Sequence, residues 1–69
     1  MNYVVIFEKT PTGYSAYAPD LPGYAATAKT TDALRKLVRE GIPLHVEGLR
    51  RVRKPIPRPR TIVDVVEVA

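Results

Sequence analysis

Cysteine is absent from this 69-residue chain, which excludes a disulfide framework and any thiolate metal site. No apolar run approaches the roughly 18 residues that a membrane span needs. The first residues pass directly into Tyr3-Val4-Val5-Ile6-Phe7 without a basic leader or a small-residue cleavage site, so a soluble, cytoplasmic protein is expected. Glutamine is missing, Asn2 is the single asparagine, and arginine outnumbers lysine seven to four. That bias points to a thermophilic source or to a GC-rich genome. Chemistry-bearing residues are equally scarce. His45 is the only histidine, and no Ser, Cys or acid is spaced to form a dyad with it. Glu8, Asp20, Asp32, Asp64 and Glu67 are scattered, and the four glycines are isolated, so neither a metal site nor a phosphate-binding loop is expected. The expectation is a protein without catalytic residues or cofactor.

Sixty-nine residues make a single domain, residues 1–69, with a core so small that self-association as a homodimer or higher oligomer is expected to supplement it. Net charge is +4, unevenly spread. Arg50, Arg51, Arg53, Lys54, Arg58 and Arg60 fall within residues 50–60 with no acid among them, and removing these six leaves −2 for the remainder. This run is either a solvated linker or a patch for an anionic partner, nucleic acid included.

The chain is organised around residues 13–23. Pro11-Thr12-Gly13 signals a turn, and residues 14–18 alternate with Tyr14, Ala16 and Ala18 on one face and Ser15 and Tyr17 on the other. Pro19 and Pro22 cannot serve inside a ladder, so Asp20-Leu21-Pro22-Gly23 must turn, with Leu21 as its apolar anchor. Asp20 is suited to bond a backbone N–H about two residues on, and Gly23 to a left-handed position. Before this strand, residues 3–8 are apolar on both faces, as in a central strand covered twice, and a loop of about five residues joins the two. After it, residues 24–29 have small side chains and read as an edge.

Thr30-Thr31-Asp32 announces a helix over residues 31–52, with Leu34, Val38, Ile42, His45, Leu49 and Val52 recurring at three and four. Gly41 and Pro43 predict a kink near residues 39–43 or two helical pieces. Such a helix is longer than the strands and should overhang them. Pro55, Pro57 and Pro59 then favour a stiff polyproline segment, and residues 61–68 read as a β-branched closing strand. The fold expected is α+β, a two-layer β-β-β-α-β domain with a mixed four-stranded sheet in the order 3-2-1-4 and one kinked helix on one face. Tyr14, Tyr17 and Tyr24 either pack this sheet and its dimer or stack on bases.

Gly13-Tyr14-Ser15-Ala16-Tyr17 running into Pro19-Asp20-Leu21-Pro22-Gly23, then Thr30, the segment with Ile42, Leu44, His45 and Glu47, and the Pro55-Ile56-Pro57 break together resemble the HicB-like antitoxins. The resemblance implies a partial RNase H-like fold. It also implies a non-enzymatic role, the neutralisation of a small mRNA-cleaving toxin by direct binding. Gly13, Tyr14, Pro19, Asp20, Leu21, Pro22 and Gly23 are the residues matching the family block. Family members often carry a DNA-binding segment after this domain; residues 1–69 contain none, so operator binding is not expected of them.

Overall fold

The computed structural model describes residues 1–69 as a three-stranded antiparallel sheet with one long helix across it. Strand β1 spans Ile6–Thr10, β2 Gly13–Tyr17 and β3 Ala25–Ala28, in the order β1-β2-β3. The tightly delimited second strand is therefore the central one. Pairing of Thr10 with Gly13 leaves only Pro11 and Thr12 between the first two strands, in place of the five-residue loop expected. Pro11 fixes φ near its helical value, and neither turn residue has positive φ, which excludes the primed hairpin turns and type II.

Register decides which side chains meet. Phe7 faces Ala16 and Ala16 faces Ala26, so Phe7, Tyr14, Ala16, Ala26 and Ala28 share the face that receives the helix. Ile6 faces Tyr17 and Tyr17 faces Ala25 on the opposite face, where Tyr17 and Ala25 are exposed. Gly13 explains why β2 and β3 can approach so closely. A Cβ there would lie 2.9 Å from Lys29 Cα and closer still to the Ala28 carbonyl oxygen.

Helix α1, Thr31–Arg51, starts where the sequence announces it. Thr30 is extended, and its hydroxyl accepts the Ala33 N–H at 3.1 Å, while Asp32 faces the positive end of the dipole. At the other end Arg53 takes a left-handed φ of 57°, letting the Arg53 N–H bond Arg50 O and the Lys54 N–H bond Leu49 O, a Schellman closure followed at once by Pro55. The helix is continuous through Pro43, so the two-piece alternative is not realised. Pro43 forfeits one bond to the carbonyl of Arg39, a residue on the exposed side where water can serve instead. Gly41 is where the Tyr24 ring reaches the helix, its hydroxyl 2.5 Å from where a Cβ would be.

Leu34 and Val38 are the only buried helix residues, and both belong to its first half. With Ala16 they form the core, while Leu21, 1% exposed, anchors the turn after β2 as expected. Twenty-one residues give about 31 Å of helix against about 17 Å for a five-residue strand, so the second half overhangs the sheet.

The fourth strand, the mixed sheet and the 3-2-1-4 order do not form within one chain. Residues 61–69 make no backbone pairing; Ile62, Val65, Val66 and Val68 are 79–91% exposed. Without that strand β1 is an edge rather than the centre, although it is apolar on both faces.

Candidate protein-binding surface

Two segments far apart in sequence meet at one end of the sheet. The Asp20 carboxylate accepts three hydrogen bonds: Oδ2 from the N–H groups of Arg60 (3.0 Å) and Thr61 (2.9 Å), and Oδ1 from the Thr61 hydroxyl (2.9 Å). These donors, the Arg60 and Thr61 amides foremost, hold the Asp20 carboxyl below its ordinary value. Contrary to the expectation that it closes its own turn, Asp20 grips the chain forty residues on. Nearby, the Tyr3 hydroxyl donates to the Pro57 carbonyl oxygen. Pro19, Asp20, Pro22, Pro57, Arg58 and Arg60 line the open cleft of about 470 Å³ between turn and polyproline segment.

The rest of the turn follows local rules. Leu21 N–H bonds Ala18 O, Tyr24 N–H bonds Leu21 O, and Gly23 has φ of 87°. Pro19 and Pro22 are exposed and supply stiffness rather than packing. Tyr14 is half-buried over the core with Lys9 Nζ 4.7 Å from its ring, and Tyr24 lies edge-on to His45 at 5.7 Å. Both are packing residues, and so is His45. Tyr17, 42% exposed on the face away from the helix, is the one exposed tyrosine of the sheet.

The basic run is not one continuous patch. Arg50 and Arg51 both approach Glu47 at 3.7 Å at the helix end, where they also oppose the negative end of the dipole. Arg53 closes the helix, and Arg60 is fixed by its amide at Asp20. Lys54 and Arg58 are exposed and outside every ion pair. No group of three His, Asp or Glu side chains converges anywhere in the fold. No helix is long and apolar enough to cross a membrane.

What the surface does offer is apolar area. Leu37 and Leu44 are 46% and 72% exposed along one flank of α1, Gly48 continues that flank with an open Cβ position, and Val52 at the helix cap is 63% exposed where the inner stripe has run past the sheet. The sequence alone gives little sign of a role for Tyr3 and Thr61. Their one signal is that the alternating prolines leave the Pro57 carbonyl and the first two N–H groups after Pro59, those of Arg60 and Thr61, without local partners.

No family model matches the chain. A UPF0150 protein of the thermophilic archaeon Archaeoglobus fulgidus is 37% identical over 70 residues, an alignment that covers 99% of this chain and 96% of the relative.

Proposed function

This chain belongs to the UPF0150 family, and we propose that it acts as a HicB-like antitoxin, a cytoplasmic binding module that neutralises a small mRNA-cleaving toxin without chemistry of its own. The observation that carries this reading is the exposed apolar side chains of Leu37 and Leu44 along one flank of a helix that projects beyond its sheet, with Val52 exposed at its cap. Isolated exposed apolar residues are ordinary, but a row of them on an overhanging helix is the surface of a groove-binding or helix-docking module. The block from Gly13 to Gly23 supports the same reading as the structural centre of the fold: it sets the close strand approach, the buried Leu21 and the grip on the polyproline segment. With a fourth strand supplied, the sheet order would become that of a partial RNase H-like domain.

A small mRNA-cleaving toxin encoded beside this protein is required by the proposal, and the direct test is to add the purified protein to such a toxin and follow RNA cleavage. Stoichiometric inhibition is expected, weakened at least tenfold by Leu44→Glu. Undiminished cleavage at excess protein overturns the proposal, as does RNA cleavage by this protein alone.

A second reading, nucleic-acid binding, is favoured by the unpaired Lys54 and Arg58 on a stiff segment. Residues along polyproline II rotate by a third of a turn each, so these cations form a loose electrostatic arm rather than a base-reading clamp. Arg58→Ser with Arg60→Ser separates the two readings. RNA binding that is lost in this variant and falls steeply with salt supports the second, and toxin binding that is unchanged by both supports the first.

A further inference from the structure

We propose that residues 61–68 are a strand that pairs only between molecules, adding to the open edge of β1 in a second copy of the chain while the second copy's segment does the same in return. Three independent observations converge on this, and none depends on the antitoxin reading.

The first is hydrogen-bond accounting. All backbone–backbone bonds outside the helix and strands lie within residues 18–24, 30–34 and 48–54. Residues 2–5, which extend β1 past the end of β2, and residues 55–69 therefore make none. The outer side of β1 itself has no neighbour, because the sheet order is β1-β2-β3. Two stretches that carry Val4 and Val5, and Ile62, Val63, Val65, Val66 and Val68, are left with unpaired backbone edges, each able to complement the other.

The second is area. A compact 7.7-kDa monomer exposes about 4,300 Å², whereas this chain exposes 5730 Å². Its radius of gyration is 13.5 Å, against about 11 Å for a compact domain of this length. The excess of roughly 1,400 Å² per chain exceeds the 800 Å² or so that each partner contributes to a standard stable interface.

The third is the hinge. Asp20 holds Arg60 and Thr61 against the molecule's own body, and Pro55, Pro57 and Pro59 stiffen the approach to that anchor. Beyond Thr61 the side chains stand in solvent, with Ile62 91% exposed. A short stiff hinge that directs a strand away from its own sheet favours exchange between copies over closure within one. The side chains match as well. A parallel register that places Val63 and Val65 beside Val5 and Phe7 also brings Glu67 beside Lys9.

The test uses the full chain and needs no ligand. At micromolar concentration the protein is expected to sediment at twice 7.7 kDa. Val63→Pro with Val66→Pro places a proline at each strand parity, so one of the lost N–H groups must face the ladder. This variant is expected to be monomeric with its helical circular dichroism retained. In a second measurement, chains carrying Glu8→Cys are mixed with chains carrying Val66→Cys. A disulfide linking the two kinds of chain is expected, since the native sequence has no cysteine to compete. A monomeric wild type overturns the proposal. So does a double-proline variant that is still dimeric, or a Val66→Cys chain that links to itself in preference to Glu8→Cys.

Discussion

Replacing each of three glycines with alanine asks whether backbone proximity, side-chain proximity or neither governs the site. At Gly13 the added methyl meets the backbone of β3, Lys29 Cα at 2.9 Å and the Ala28 carbonyl, and these atoms cannot rotate aside. Overpacking of this kind costs about 3 kcal/mol, from which a gain of up to about 1 kcal/mol is subtracted for the stiffer unfolded chain. A net loss of about 2 kcal/mol corresponds to a fall in Tm of roughly 8–16 °C for a domain this small. Gly48 lies in the same helix register as good helix formers and has open space around it, so Gly48→Ala should stabilise by about 1 kcal/mol. At Gly41 the same helix gain is offset by displacement of the Tyr24 ring, with Cε1 and Cζ each 3.3 Å from the new methyl and the edge contact to His45 at stake. That edge contact is worth about 1 kcal/mol, so Gly41→Ala should fall near zero. Far-UV circular dichroism melts at one fixed protein concentration measure all three. An order other than Gly48→Ala above wild type, Gly41→Ala near it and Gly13→Ala well below it refutes the packing described.

Leu34 is fully buried at the centre of a very small core, and Leu34→Ala should cost about 3 kcal/mol, read as a lower urea midpoint with an unchanged slope. Arg53 occupies a left-handed position at the helix end, so Arg53→Gly should stabilise by about 0.5–1 kcal/mol in the same assay. The Asp20 carboxyl lies below its ordinary value because it accepts amide bonds from Arg60 and Thr61. The docking of the polyproline segment is therefore fully present above the ordinary carboxylate range and is lost only as pH falls through the still lower folded value. Acid titration followed at the Arg60 and Thr61 amide resonances should show its midpoint below 3.8; a midpoint at or above that value contradicts the assignment.

Much of this architecture was legible in the sequence because it is dictated locally. Proline at positions 11, 19 and 22 punctuates the central strand, Thr30 caps the helix, and the three-four spacing from Leu34 to Leu49 names the inner face. What was not legible depends on pairing across long separations. Nothing in the spacing of Asp20 and Thr61 announces that one anchors the other, since a carboxylate in a turn can equally bond its own neighbours. Residues 61–68 have the composition of a strand, yet composition does not say whose sheet they join. The two apolar faces of residues 3–8 signal a covered, paired strand, and the single chain does not supply the partner.

Amide hydrogen exchange along residues 61–68 tests most directly whether a second copy completes this fold. The account predicts slow exchange for alternate amides of that segment and for the outer edge of β1 at micromolar concentration, with protection lost on dilution and in Val63→Pro with Val66→Pro. Rapid exchange of residues 61–68 at every concentration would contradict it.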